Sequence, residues 1–278
     1  MKKTTIGMSV QGASHIVHQI PCQDANKIKI RKDGIVIAAV ADGHGSKKCR
    51  YSDMGANLAT EVFIDIIDNL VEETKQDEEK LIQLLRQSKS QDVIEEICTI
   101  WKERIHEDFL QREEEEFTEE LYGTTLLGIL VTDQFVFAMQ IGDGDIVFVN
   151  ETGVHRVIEP MKFLGTETYS MSSVRPWSQA IAYFQRLEMA KKSPCMFLLS
   201  TDGFINSFIN DHEYEVSCND YFHTLQEYGA KAVQENLYDW LTETSKSGCG
   251  DDITLVGIAA IPRKRNIKPE LFTEQYLN

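Results

Sequence analysis

The sequence predicts a single α+β domain in which two antiparallel β-sheets form a central sandwich with α-helices outside. Short apolar or alternating runs recur along the chain, and tight turn dipeptides join several of them. Other segments carry apolar residues at helical spacing. Strands joined by tight turns pair antiparallel, and helices cover the apolar faces of the sheets. No repeat or low-complexity linker divides the chain, so we expect one domain over residues 1–262 and a polar surface extension over residues 263–278.

Strands and long helices alternate in the first half of the chain. Thr5–Val10 and Lys27–Ile30 are short alternating runs that predict strands. Ile35–Ala41 is continuously apolar and rich in β-branched residues, which is typical of a central strand buried on both faces. Apolar residues then recur at helical spacing over Ser52–Leu70 and over Glu78–Phe109, and the second of these helical regions is predicted to break at its Ser-Lys-Ser stretch.

The second half is richer in strands. Strands are predicted over Thr124–Val131, Phe135–Gln140, Ile146–Asn150, Gly153–Ile158, Ala180–Ala190, Met196–Ser200 and Ile253–Ala260. Helices are predicted over Asp220–Tyr228 and Ala230–Ser245. The polar, hydroxyl-rich segment 161–179 is typical of a mobile flap.

The charge balance bears on the class of partner. The net charge of −16 comes from 44 acidic and 28 basic residues. Such a surface repels nucleic acid and anionic membranes, so neither is expected as a partner. The N-terminus has no apolar segment typical of a signal peptide, and no apolar run approaches the length of a membrane span. Six scattered cysteines without a CxxC pair are typical of reduced thiols, so we expect a cytoplasmic protein.

Four apolar runs end in an acidic turn, and these turns are the main clue to function. They are VADGHG (Val40–Gly45), IGDGD (Ile141–Asp145), LSTDG (Leu199–Gly203) and GDDIT (Gly250–Thr254). One Asp-Gly dipeptide is usually only a turn. A carboxylate at the end of a buried strand, however, is costly to desolvate unless it is paired or holds a cation. The repeated pattern therefore predicts one site for a hard cation such as Mg²⁺, Mn²⁺ or Ca²⁺.

The order of these segments resembles the protein phosphatase 2C family of metal-dependent Ser/Thr phosphatases, in a bacterial-type form. The resemblance runs from SVQGASHIVHQIPCQDA (Ser9–Ala25) through VADGHG, GTTLLGILV (Gly123–Val131) and IGDGDIVFV to LLSTDG and GDDITLVGI. It implies a four-layer fold and hydrolysis of phosphoserine and phosphothreonine in proteins. Two Mg²⁺ or Mn²⁺ ions would act as cofactors, and a hydroxide bridging them would attack phosphorus directly.

The resemblance also implies roles for individual residues. Asp42 corresponds to the carboxylate that bridges both metals, and Gly43 to the backbone carbonyl on the second metal. Asp202 and Asp251 correspond to the other ligands of the first metal. Asp143 corresponds to a third, weaker metal site. Asp24 corresponds to an acid that supports the metal-bound waters. His44 corresponds to a general acid that protonates the leaving alkoxide.

Two departures from the family pattern concern charge and phosphate binding. Gln23 stands where many members carry Glu, which removes a negative charge near the second metal. Gln19 stands where many members carry an Arg that binds the substrate phosphate. His15 or His18 is the candidate to replace that Arg, and the choice between them stays open.

Other functions remain compatible with the sequence. The departures would suit a catalytically weak, phosphatase-like module that binds phosphoproteins or a kinase, although such a module has no need for four costly carboxylates. A phosphatase for small phosphate esters would carry the same metal ligands. For the leading function, the expected partners are phosphorylated protein substrates and a cognate Ser/Thr kinase, and the chain is expected to be a monomer.

Overall fold

The computed structural model describes residues 3–74, 77–86, 88–112, 116–159, 168–187 and 193–261. The strands are β1 (Lys3–Val10), β2 (Ala25–Ile30), β3 (Val36–Ala41), β4 (Leu126–Val131), β5 (Phe135–Ile141), β6 (Asp145–Asn150), β7 (Gly153–Ile158), β8 (Ile181–Arg186), β9 (Cys195–Ser200) and β10 (Ile253–Ala260). The helices are α1 (Ala13–His18), α2 (Ser52–Glu73), α3 (Glu78–Leu85), α4 (Ser88–Phe109), α5 (Asp202–Ile205) and α6 (Asp211–Ser247).

The strands form two five-stranded sheets, and every pairing is antiparallel. One sheet has the order β1-β10-β9-β6-β7 and the other β2-β3-β4-β5-β8. One apolar core lies between the sheets, a second lies between the β3-containing sheet and α2–α4, and a third lies between the β9-containing sheet and α6. The predicted α+β sandwich flanked by helices is therefore confirmed.

Strand β3 is buried on both faces, as its continuous apolar run predicts. Val36, Ala38 and Val40 enter the core between the sheets, while Ile37, Ala39 and Ala41 enter the core under α2. Because side chains alternate between the two faces of a strand, a run that is apolar throughout is buried on both sides. The end of this strand is thus held rigidly where Asp42 follows it.

Two helical features differ from the sequence prediction. Helix α1 was not predicted, since none of its residues is buried and it has no apolar stripe. It is held instead by the backbone N–H of Ser14, which donates to the Gly250 carbonyl over 2.8 Å. Helix α6 begins at Asp211, before the predicted start, because Tyr214 and Cys218 extend its buried stripe. Gly229, with φ +83°, separates the two predicted helices within it.

Some predictions fall on residues outside the described part of the chain. The flap prediction, 161–179, is described only from residue 168 onward, and the predicted surface extension 263–278 is not described. The single-domain assignment stays a prediction. None of the helices in the described segments is both long and apolar enough to cross a membrane.

Candidate metal centre

Four acid-tipped segments meet at one cleft. Asp42 follows β3, Asp143 lies in the β5–β6 turn, Asp202 opens α5 after β9, and Asp251 precedes β10. All four line the same cleft, which has a volume of about 690 Å³. The other lining residues are His44, Gly45, Ser46, Cys49, Glu120, Thr125, Thr168, Ser170 and Ser172. The fold therefore brings together the acidic turns that the sequence singled out.

Two neighbouring threonines fix the backbone of Asp42. The N–H of Asp42 donates to Oγ1 of Thr125 over 2.9 Å, and the N–H of Thr125 donates back to the Asp42 carbonyl over 2.8 Å. The Thr124 hydroxyl donates to the same carbonyl over 2.9 Å. These bonds satisfy the backbone where β3 ends, so Asp42 is held in place by the two residues that precede β4.

Gly43 is required by the close approach of two segments. A Cβ at this position would lie 2.6 Å from the carbonyl oxygens of Gln23 and Ser52. The N–H of Gly43 donates to the Gln23 carbonyl over 3.1 Å, which ties the DGHG turn to the first motif. A larger residue would push these segments apart. The role of the Gly43 carbonyl as a metal ligand stays a prediction.

The segments carrying Asp202 and Asp251 are also in direct contact. A Cβ on Gly203 would lie 2.0 Å from the carbonyl oxygen of Asp252, so the glycine permits this contact. The Asn206 amide donates to a carboxylate oxygen of Asp202 over 3.0 Å. This packing places α5 against the start of β10 and aims both acids at the cleft.

The electrostatics of the cleft indicate a deficit of positive charge. No Lys or Arg is among the described residues that line it. Burial, with a further contribution from Asp143, raises the pKa of Asp202 to about 6. Burial and the neighbouring Asp24 and Asp202 raise the pKa of Asp42 well above its ordinary value. The carboxyl groups of Asp42 and Asp202 influence each other's pKa, so a proton held by one of them reduces the repulsion between them. A cation would replace that proton and relieve the repulsion.

Asp24 is buried and is not among the residues that line the cleft. Its side chain is buried, and it accepts a hydrogen bond from the Thr201 hydroxyl over 2.7 Å. Burial raises the pKa of Asp24 well above its ordinary value, and the bond from Thr201 partly offsets this rise. Because Thr201 precedes Asp202, Asp24 is linked to the acids of the cleft through the start of α5.

His15 and His18 lie outside the described lining of the cleft. His15 Nε2 lies 3.4 Å from an Asp251 oxygen, and its Nδ1 lies 2.9 Å from an Asp252 oxygen without hydrogen-bond alignment. His18 is exposed near the end of α1. His15 thus contacts Asp251 and Asp252, and neither histidine is among the residues that line the cleft. Phosphate binding by either residue stays a prediction.

Asp252 connects two distant segments of the chain, which the sequence did not indicate. Its two carboxylate oxygens accept hydrogen bonds from the N–H groups of Gly12 and Gln23, each over 2.6 Å. The second Asp of the GDD turn therefore joins the first motif to the last. The second Asp of IGDGD, Asp145, is likewise buried and pairs with Arg156 over 3.0 Å.

His44 lines the cleft close to Asp143. Burial lowers the pKa of His44 below its ordinary value of 6.5, and Asp143 partly offsets this effect. The N–H of His44 donates to the Gly123 carbonyl over 3.0 Å, which fixes its backbone. Its imidazole is therefore mostly neutral near pH 7 in the metal-free protein.

Several lining residues were missed from the sequence. Thr125 was interpreted only as part of close strand packing, but it binds the Asp42 backbone and lines the cleft. Ser170 and Ser172 belong to the segment predicted as a flap, and their hydroxyl oxygens lie 2.8 Å apart. Only the hydroxyl-rich composition of that segment hinted at a place beside the acids.

The donor set fits hard divalent cations. Within the described residues, no three His, Cys, Asp or Glu side chains form a closed metal cage. An open arrangement of carboxylates is nevertheless suited to Mg²⁺ or Mn²⁺, since Mg²⁺ retains several waters. Gln23 Oε1 is also buried without a hydrogen-bond partner, so a donor or cation is needed near the DGHG turn.

Solved structures of bacterial phosphatases share this fold. The S. agalactiae serine/threonine phosphatase is 16% identical with a TM-score of 0.59, covering 94% of this chain and 100% of that chain. Stp1 from Staphylococcus aureus is 15% identical with a TM-score of 0.60, covering 95% and 96%. The catalytic domain of PstP, solved in complex with 2 manganese ions, is 14% identical with a TM-score of 0.56, covering 94% and 99%.

Sequence comparison gives the family. No curated protein matches this chain. The sequence model described as protein phosphatase 2C matches residues 11–242, which is most of the chain. That range includes the DGHG turn and the acids at positions 24, 42, 143 and 202. The chain therefore belongs to the protein phosphatase 2C family of metal-dependent protein phosphatases.

Proposed function

We propose that this protein hydrolyses phosphoserine and phosphothreonine in proteins with two Mg²⁺ or Mn²⁺ ions as cofactors. The observation that carries the proposal is the shared cleft of four strand-end aspartates without a Lys or Arg among its described lining residues. Asp42, Asp202 and Asp251, with the Gly43 carbonyl, would hold the two ions. Asp143 would contribute to a third, weaker site.

The ions would supply the chemistry that the side chains lack. When bound, divalent cations lower the pKa of a water molecule and neutralise charge on the phosphoryl oxygens. The solved PstP domain, which has the same fold, binds two manganese ions, and this supports a pair of ions here. The cleft also has room for a phosphoryl group beside the acids, since it measures about 690 Å³.

The protein's own residues would position these parts. The Thr124–Thr125 pair holds Asp42, and Asp24 holds the start of α5 through Thr201. Rigid ligands cost less reorganisation when charge develops during reaction. The hydroxyl-bearing residues Thr168, Ser170 and Ser172 form the wall of the cleft. They would face the phosphoryl group and could donate hydrogen bonds to it.

His44 would deliver a proton to the leaving oxygen. A serine or threonine alkoxide is a poor leaving group, so protonation speeds its departure, whereas p-nitrophenolate leaves without help. The lowered pKa of His44 reduces its protonated fraction as pH rises. The proposed acid would therefore work best at the lower end of the pH range in which the metal ligands are ionised.

Substrates and surroundings follow from the same proposal. The substrates would be phosphorylated proteins, and a Ser/Thr kinase would be the opposing enzyme. None of the six cysteines forms a disulfide in the structure. Free thiols suit the reducing conditions of the cytoplasm, where we place the protein. We propose that it acts there as a monomer.

Phosphate release from p-nitrophenyl phosphate and from a phosphothreonine peptide tests the proposal directly. We expect turnover with Mn²⁺ or Mg²⁺, loss of turnover with EDTA, and loss of at least about a hundredfold in Asp42→Ala and Asp202→Ala. Asp239→Ala, at an exposed acid on α6, is the matched control and should retain activity. Calorimetry should be run in parallel. Phosphopeptide binding without turnover by the wild-type protein at saturating Mn²⁺ would show a binding module instead.

A further inference from the structure

A basic turn stands at the edge of the acidic cleft. The N–H of Cys49 donates to the Ser46 carbonyl over 2.8 Å, and the N–H of Lys48 lies 3.3 Å from the Ser46 hydroxyl. Ser46 and Cys49, at the two ends of this turn, line the cleft. Lys47 and Lys48 occupy its tip and are exposed. The fold therefore places two lysines beside the rim, shortly after the DGHG segment in the chain.

These lysines are available to an incoming anion. Lys47 forms no ion pair within the described chain. Lys48 Nζ lies 3.5 Å from Glu120 Oε1, and the two side chains are 75% and 57% exposed. A pair so exposed contributes little stability and exchanges readily. The rim can thus release Lys48 to a stronger acceptor.

Two neighbouring cations, Lys102 and Arg50, are already engaged. Lys102 donates to the carbonyl of Ser173 over 3.0 Å and lies 3.8 Å from Glu119. The guanidinium of Arg50 lies over the Tyr51 ring, 5.7 Å from its centroid. The protein carries a net charge of −16, so the turn at Lys47 and Lys48 is a small positively charged area beside the cleft.

We propose that Lys47 and Lys48 bind anionic residues that flank the phosphorylated residue of a substrate. The preferred substrate class is phosphopeptide segments rich in Asp or Glu, or carrying a second phosphate. This inference rests on the proposed function of the same cleft. The lysines stand on the rim rather than among the lining residues, so they meet the flanking residues and not the phosphoryl group being hydrolysed. Flexible ammonium groups suit acceptors whose spacing varies between peptides.

The test compares two phosphothreonine peptides that differ only in their flanking residues, four Glu in one and four Gln in the other. The variant is Lys47→Gln/Lys48→Gln. The matched control is Lys32→Gln/Lys231→Gln, which makes the same change in net charge. Lys32 precedes β3 at the end opposite Asp42, roughly 20 Å away at about 3.3 Å per residue. Lys231 is exposed, and its Nζ lies 3.7 Å from a Glu235 oxygen, which resembles the Lys48 pair.

The lysine variant should lose kcat/KM selectively on the acidic peptide. An exposed ion pair accounts for about a threefold effect, so the double variant should lose about tenfold, mainly through KM. Hydrolysis of the neutral peptide and of p-nitrophenyl phosphate should stay within about twofold. Raising the ionic strength from about 0.02 M to about 0.5 M should remove the difference between wild type and variant.

Glu120→Gln provides a test of opposite sign. Removing Glu120 frees Lys48 and takes a negative charge from the rim, so selectivity for the acidic peptide should rise by about two- to threefold. Unchanged or reduced selectivity in this variant would contradict the inference.

A binding measurement distinguishes failure of this inference from failure of the proposed function. Fluorescence anisotropy with phosphonate analogues of both peptides measures selectivity whether or not hydrolysis occurs. Tighter binding of the acidic analogue that is lost in Lys47→Gln/Lys48→Gln supports the inference. Equal loss on both peptides, no loss, or the same loss in Lys32→Gln/Lys231→Gln overturns it. Selective binding by an inactive wild-type protein would overturn the proposed function alone.

Discussion

Replacing Asp202 by Asn should stabilise the metal-free protein at neutral pH. Burial and Asp143 raise the pKa of Asp202 from 3.8 to about 6. An acid with a raised pKa binds its proton more tightly in the folded state than in the unfolded state. Stability is therefore lost as pH rises from about 4 to about 6, and it stays lower above that range. A shift of about two units corresponds to about 3 kcal/mol at about pH 7.5.

The substitution removes this penalty with little change in shape. Asp202 now accepts a hydrogen bond from the Asn206 amide over 3.0 Å, and the side-chain carbonyl of an asparagine at the same position can still accept it. Urea unfolding in EDTA, followed by tryptophan fluorescence, measures the effect. We expect Asp202→Asn to raise the free energy of unfolding by up to about 3 kcal/mol at about pH 7.5 and to have little effect at about pH 4.

Metal ions and a control complete the experiment. Mn²⁺ should stabilise the wild-type protein strongly at about pH 7.5 and the variant much less, because ligand binding stabilises the state that binds it. Asp239→Asn, at an exposed position on α6, should behave like wild type. If metal-free Asp202→Asn is no more stable than wild type at neutral pH, burial and repulsion of the Asp202 carboxylate do not destabilise the metal-free protein.

Three further predictions concern the backbone of Asp42, the packing of α2 and the proposed proton donor. Thr125→Val should destabilise the protein by about 1–3 kcal/mol in denaturant unfolding and lower kcat, because the buried N–H of Asp42 loses its acceptor. Thr125→Ser should retain both properties, and equal losses in the two variants would contradict this role. Gly55→Ala should destabilise by about 2 kcal/mol or more, since the added Cβ would lie 2.0 Å from the Tyr122 carbonyl. Alanine is the better helix former, so a gain in melting temperature would refute the predicted clash. His44→Gln should lower kcat on phosphopeptides by about 10²-fold but change p-nitrophenyl phosphate hydrolysis little. The wild-type rate on phosphopeptides should fall as pH rises toward and above 6.5, because the pKa of His44 is lowered. A pH–rate profile that is identical in wild type and His44→Gln would exclude His44 as the proton donor.

The strands and the acids at their ends could be predicted because their signals are local. The apolar run of β3 reports burial on both faces, and Asp42 follows it directly. The breaks near Ser88 and at Gly229 were also visible as interruptions of helical spacing. Helix α1 could not be predicted in this way, because a tertiary bond from Ser14 to Gly250 holds it rather than an apolar stripe.

Charge and periodicity in the sequence determined the fold class, the acidic strand ends and the need for a cation. Only the tertiary structure decided which groups surround those acids. In the structure, Thr125 accepts a hydrogen bond from the Asp42 backbone, and Asp252 accepts one from the first motif. His15 is not among the described residues that line the cleft. The tertiary structure also brought Lys47 to the rim. The physical reason is that the turns that meet at the cleft are far apart in sequence, and only the packing of the two sheets fixes their distances.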